Sequence, residues 1–132
     1  MRGRYRGACW TIFAEAFAAR QRALSLIKDP RVTALGEAYR RSGYDGYLLK
    51  EAEFELAERG AGVRNPAIAA HFYALLNDEP RAIAALEAAY NKHHAGILFM
   101  RTAPELDSIR SSPRFRELVR RIGFPPAPSD KN

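Results

Sequence analysis

At 132 residues and 47% hydrophobic, the chain is long enough for one domain with a buried core, and no apolar run is long enough to cross a membrane. The single Cys9 excludes an internal disulfide and fits a reducing compartment, so a cytoplasmic location is expected. The net charge of +6 sits at the ends: residues 1–35 carry +5 and 96–132 carry +3, while 36–64 and 65–95 carry −1 each. Basic ends suit nucleic acid or acidic lipid. No aromatic–basic interleaving accompanies them, and solvated helix faces account for them.

The N-terminal stretch has a basic start, an apolar segment and small residues around Phe17, traits shared with a secretory signal. Glu15 interrupts the apolar run. Phe13, Phe17, Leu24 and Ile27 continue one apolar face, which predicts a helix from Thr11 to Ile27 ended by Lys28-Asp29-Pro30. A second helix is predicted over 32–41, with Val32, Leu35 and Tyr39 on one face and Ser42-Gly43 closing it. A third runs over 46–59 with Leu49, Ala52 and Leu56 at helical spacing, and stops at Gly60-Ala61-Gly62. Asn65-Pro66 opens a fourth helix through 76, whose apolar stripe is Ile68, Phe72, Leu75 and Leu76. After the turn Asn77-Asp78-Glu79, a fifth helix over 80–91 carries Ile83, Leu86 and Tyr90, and His93, His94 and Gly96 break it. Ser112-Pro113 caps a last helix in which Phe115, Leu118, Val119 and Ile122 form one face, and Gly123 stops it. The tail 125–132 is polar, rich in proline and expected to be disordered. Nothing alternates long enough to make a strand.

Residues 35–57 and 69–91 share a class pattern at a spacing of 34 residues. Leu35 pairs with Ala69, Gly36 with Ala70, Tyr39 with Tyr73, Leu49 with Ile83, and the turn residue Gly43 with Asn77. A helix–turn–helix unit of this period resembles the tetratricopeptide repeat. Counted from Val63, the family's small positions fall on Ala70, Ala82 and Ala89 and its tyrosine on Tyr73. Counted from Asp29 they fall on Gly36, Leu48 and Glu55, with Tyr39 as the tyrosine, so the first unit matches in its front helix only. The stretch from Pro104 to Phe115, with Leu118 and Gly123, is similar to the ending of bacterial tetratricopeptide arrays found behind regulatory domains. There a Pro-Arg-Phe helix caps the stack, and Phe115, Leu118, Val119 and Ile122 would cover the apolar edge while Arg114, Arg116, Arg120 and Arg121 face water.

The resemblance implies an all-α fold: a stack of antiparallel helix hairpins with a C-terminal capping helix. It implies one domain over 1–124, with 1–30 a degenerate first repeat, 31–62 and 63–95 the repeat units and 96–124 the capping segment. Such repeats bind partners and rarely do chemistry, so a non-enzymatic protein-interaction module is expected, of the kind that forms the detached end of a larger regulator; the alternative is a basic helical nucleic-acid-associated protein. The family lines its concave face with front helices, which here implies peptide contacts from Thr33, Glu37, Arg40, Arg41, Arg64 and His71. Their positive bias suits an acidic or carboxylate-bearing peptide. A first unit left open would expose Trp10, Phe13 and Phe17 and favour a homodimer through the first helix.

Catalytic and cofactor patterns do not emerge. Gly43-Tyr44-Asp45-Gly46 lacks the lysine and hydroxyl residue of a phosphate loop. His93 and His94 point to different sides of a helix and His71 lies on another, so neither metal nor cofactor is expected. Glu51, Glu53, Glu55 and Glu58 read as a solvated acidic face.

Overall fold

The computed structural model describes residues 8–59, 62–63 and 65–124, and they are helical nearly throughout. In order come α1 (Ala8–Leu26), α2 (Arg31–Leu56), α3 (Pro66–Leu75), α4 (Glu79–Asn91), two 3-10 helices (Ala95–Arg101 and Pro104–Ile109) and α5 (Pro113–Ile122). Between α2 and α3 lies one element the sequence did not announce. It is a two-residue antiparallel ladder of β1 (Glu58–Arg59) and β2 (Gly62–Val63), pairing Glu58 with Val63 and Arg59 with Gly62. The third predicted helix therefore ends at Leu56 rather than at 59. The chain forms two compact units, residues 1–51 and 52–132, and the division falls inside α2. The expected tail over 125–132 lies outside the described residues, as does Arg64.

In the first unit, α1 ends on Lys28, whose φ of 55° is left-handed. Lys28 N–H donates to Ser25 O at 3.1 Å and Asp29 N–H to Leu24 O at 2.9 Å, which closes a Schellman turn. Asp29 then caps the next helix: its carboxylate accepts from Arg31 N–H at 2.9 Å and forks with the Arg31 guanidinium. The predicted break at Ser42-Gly43 is present but needs no linker. Gly43 alone leaves helical geometry, at φ 68° and ψ −156°, within what is otherwise one helical run. The bend is sharp. A Cβ on Gly46 would sit 2.7 Å from the Ala38 carbonyl oxygen, whereas eight residues of straight helix span about 12 Å. Within the first unit the arms 31–42 and 44–51 thus fold back on each other where Gly46 carries no side chain.

Gly43 occupies a backbone region that only glycine enters freely, and nothing lies within 4 Å of its Cβ position. Gly43→Ala should therefore cost about 1–3 kcal/mol through backbone strain alone. Urea unfolding reads this as a lower midpoint at an unchanged slope. An unchanged midpoint would mean that the bend relaxes without loss.

The second unit is built on the α3/α4 hairpin. The stripe predicted for α3 does not face the core: Ile68 and Leu75 are each 38% exposed, while Ala67, Ala69, Ala70, Tyr73 and Ala74 are buried. The partner face of α4 is likewise Ala82, Ile83, Ala85, Leu86 and Ala89. Small side chains let two helix backbones approach closely, and alanines make up most of the buried α3 face beside Tyr73, while Ile68 and Leu75 turn outward. Asn65 caps α3 by accepting from Ile68 N–H at 3.2 Å, as its position before Pro66 suggested. The α3–α4 turn repeats the α1–α2 design. Asn77 is left-handed at φ 56°, Asp78 N–H donates to Tyr73 O at 2.9 Å, and the Asp78 carboxylate accepts from Arg81 N–H at 3.2 Å.

The same device recurs at the end of α4, where His93 has φ 53° and His94 N–H reaches Ala89 O at 2.9 Å. His94 Nδ1 then accepts from Gly96 N–H at 3.0 Å and opens the first 3-10 helix. The two histidines do break α4, and they also start the next helix. From here buried side chains fall at every third residue: Ile97, Met100, Ala103, Leu106, Ile109, Ser112, Phe115 and Leu118. Three residues per turn is the 3-10 repeat, so one row of side chains stays on the core through both short helices and into α5. The second 3-10 helix packs on α3 and α5 on α4. Ser108 Oγ donates to Ala74 O at 3.1 Å and ties the former contact.

On α5, Phe115 and Leu118 are buried and Val119 and Ile122 half-buried, and Arg114, Arg116, Arg120 and Arg121 lie toward solvent. Gly123 stops the helix in the left-handed conformation at φ 73°. Ser112 holds the N-cap position ahead of Pro113, as expected, and its hydroxyl makes no capping bond.

Several positions 34 residues apart share a role. Leu35 and Ala69, Leu48 and Ala82, and Ala52 and Leu86 are buried pairs, and Gly43 and Asn77 both carry positive φ, whereas the expected partners Gly36 and Leu49 are half-buried where Ala70 and Ile83 are buried. The tyrosines differ. Tyr39 is half-buried and stacks on Phe17 of α1 at 4.0 Å, whereas Tyr73 is buried under the Arg81 guanidinium of α4 at 5.8 Å.

Candidate interaction surface

Thr33, Glu37, Arg40 and Arg41 lie on the first arm of α2, one or two turns apart along one side. Thr33, Glu37, Arg40 and Arg41 are all exposed. They form a polar strip within the first unit. His71 lies in the second unit, half-buried on α3, and Arg64 lies outside the described residues. Four of the six residues inferred to bind peptide thus share a surface.

Two sequence expectations fail in the first unit for the same reason, the packing of α1 on α2. Glu51 is not on a solvated face: it is 1% exposed. Arg20 Nε donates to its Oε1 at 3.0 Å and Arg20 Nη2 to its Oε2 at 3.4 Å, from 31 residues away. This hydrogen bond raises the Arg20 pKa against the opposing effect of burial. Around it, burial and then the Glu51 charge push the Tyr47 and Tyr44 hydroxyls up, so both stay protonated. The pair is a fork whose carboxylate end is buried beside Tyr44 and Tyr47. Nor are Phe13 and Phe17 an open edge: both are half-buried, Phe13 against Tyr44 at 4.7 Å and Phe17 between Tyr39 at 4.0 Å and Tyr47 at 5.1 Å. The side chain of Trp10 lies outside the described residues.

His71 has its pKa lowered, first by burial, with Glu105 acting the other way. The folded chain therefore takes up this proton at lower pH than the unfolded chain. Stability should fall as pH drops below about 6.5, the ordinary histidine value, and the loss levels off once the folded histidine is protonated too. His71→Gln should flatten that slope relative to the parent chain when unfolding is compared at about pH 7.5 and about pH 5.5. Parallel slopes in the two proteins would show that His71 takes up its proton alike in the folded and the unfolded chain.

Among its described residues the second unit carries open concavities that sequence reading missed. One, of about 340 Å³, is lined among the described residues by Leu56, Tyr73, Arg81, Ala84, Ala85 and Ala88. Another, of about 260 Å³, is lined by Arg101, Arg110, Phe115, Arg116 and Val119. In the latter, Arg110 is structural. It donates to Asp107 Oδ1 at 2.7 Å, to Met100 O at 3.1 Å and to Ala103 O at 2.7 Å, joining the two 3-10 helices. The available signal was Phe115 beside Arg114 and Arg116, but that run read only as a cap with its charges in water.

No protein-family model, curated protein or solved structure matches this chain. Among the described residues no group of histidine, cysteine, aspartate and glutamate is placed to hold a metal, and no helix is long and apolar enough to cross a membrane.

Proposed function

We propose that the chain is a tetratricopeptide-like, non-enzymatic interaction module that takes an acidic, carboxylate-bearing peptide in the cytoplasm, of the kind that ends bacterial regulators. The observation that carries this reading is the spacing of 34 residues at which turn residues of positive φ, Gly43 and Asn77, recur with the buried pairs Leu35/Ala69, Leu48/Ala82 and Ala52/Leu86. Repeats of this kind present surfaces rather than catalytic groups. In this reading the titratable groups are structural: Glu51 is held by Arg20, and His71 is biased toward its neutral form. Peptide recognition falls to the strip Thr33, Glu37, Arg40 and Arg41, since arginine presents a fork of donors to a carboxylate.

The nucleic-acid alternative gains little from α5. Arg114 pairs with Glu87 at 3.1 Å, Arg120 with Glu117 at 2.6 Å, and Arg121 covers the Tyr90 ring at 5.0 Å. The test is retention on immobilised acidic peptides, compared with neutral ones. Arg40→Glu combined with Arg41→Glu should abolish retention and leave the melting temperature nearly unchanged, as surface substitutions do. Retention that survives moves the site to the cleft around Phe115. Retention of DNA instead, weakening steeply with salt and indifferent to sequence, replaces this reading by the nucleic-acid one.

A further inference from the structure

Helix α1 has two apolar faces, and only one is covered. Phe13, Phe17 and Leu24 turn toward the first unit's core. Ile12, Ala16, Ala19, Ala23 and Leu26 make a second stripe at alternating steps of four and three residues, and its ends are widely open. Ile12 is 61% and Leu26 84% exposed, and Ile27 continues the patch. Steps of four and three keep residues on one seam along a helix, the spacing with which helices pair. Alanines at the middle of the seam permit close approach.

The flanks say what covers it. On the side nearer α2 lie Phe13 and Arg20, already engaged with Tyr44 and Glu51. On the other side lie Glu15 and Arg22, seven residues apart, both exposed and in no ion pair among the described residues. A glutamate and an arginine two turns apart on one flank complement themselves when the helix is reversed. In an antiparallel pair Glu15 meets the partner's Arg22 and Arg22 meets the partner's Glu15. Ile12 then lies over the partner's Ala23, and Ala16 over the partner's Ala19, large against small and small against small. A parallel pair offers Glu15 only the partner's Arg20, which Glu51 already holds.

We propose that α1 is the interface of an isologous homodimer, an antiparallel helix pair along the Ile12–Leu26 stripe, separate from the peptide-binding strip on α2. It uses neither Phe13 nor Phe17, the residues that the sequence suggested for such a contact.

The experiment is sedimentation equilibrium of the full chain and four variants, with circular dichroism confirming helix content in each. The parent should sediment as a reversible dimer of the 14.8 kDa chain, and Ala19→Glu as a monomer. Glu15→Arg alone and Arg22→Glu alone place like charges across both symmetric contacts, and each should raise the dimer dissociation constant roughly tenfold at low salt. The double exchange, Glu15→Arg with Arg22→Glu, restores opposite charges and should restore the parent value. A parent chain that stays monomeric at millimolar concentration overturns the proposal. So does a dimer insensitive to Ala19→Glu, and a dimer weakened by the single reversals but not rescued by the exchange overturns the antiparallel order.

Discussion

Phe115→Ala should lower the free energy of unfolding by about 3 to 5 kcal/mol, the range for deleting a packed phenylalanine. Phe115 is 4% exposed and occupies the buried row that runs from Ile97 to Leu118. It is where that row passes from the 3-10 helices into α5. The Arg110 guanidinium lies 5.9 Å from its ring while bonding the Met100 and Ala103 carbonyls, so the ring backs the group that joins the two short helices. Losing it opens a cavity and loosens that joint together. Domains of this kind have about 5 to 15 kcal/mol in all, so the variant should be partly unfolded at physiological temperature. Phe115→Leu keeps most of the volume and should cost less than about 2 kcal/mol. Urea unfolding of the two variants beside the parent decides the matter. An unchanged midpoint for Phe115→Ala would make α5 peripheral.

Arg20→Ala should cost about 2 to 4 kcal/mol, somewhat below the cost of breaking a fully buried ion pair. The reduction reflects the Arg20 side chain, which is 37% exposed and keeps part of its hydration in either state. Glu51 decides the sign. Its carboxylate is buried, and without the guanidinium it would remain beside Tyr44 and Tyr47, hydrogen-bonded by the Tyr47 hydroxyl but with much of its charge uncompensated. Replacing both partners, Arg20→Met with Glu51→Leu, removes the charge as well as its partner and should recover most of the loss, because a buried pair stabilises little against apolar groups of similar size. A double-mutant cycle from chemical denaturation measures this. A double variant as unstable as the sum of the singles would show that the pair holds the geometry of α1 on α2 and is more than a neutralised charge.

The helices were legible because their signals are local. Asn65-Pro66 and Asp78 cap by reaching residues three positions away, so sequence neighbours contain the whole interaction. Gly43 marked a turn for the same reason, since a positive φ is a property of one residue. Of the candidate site, Thr33, Glu37, Arg40 and Arg41 share a side because they share a helix, which spacing alone predicts. What spacing misassigned was the identity of buried faces. The stripe of Ile68, Phe72, Leu75 and Leu76 has the hydrophobicity of a core face, yet α3, packed on α4, buries four alanines and Tyr73 instead. The row of every third residue from Ile97 was present in the sequence, but its period belongs to neither an α-helix nor a strand, so neither template picked it out.

The sequence by itself determined that the chain is helical, where α3, α4 and α5 begin and which residues turn the chain between them. Each of these is decided by backbone preferences and hydrogen bonds within a few residues. Only the tertiary structure decided that Glu51 is buried, that Phe13 and Phe17 are covered, and that α1 keeps a second apolar face open. Those outcomes depend on which helix lies against which, and the partner of Glu51 stands 31 residues away in the chain. A glutamate in an acidic run and a glutamate in a buried fork have the same neighbours in sequence; the difference is the desolvation that packing imposes and the guanidinium that packing supplies.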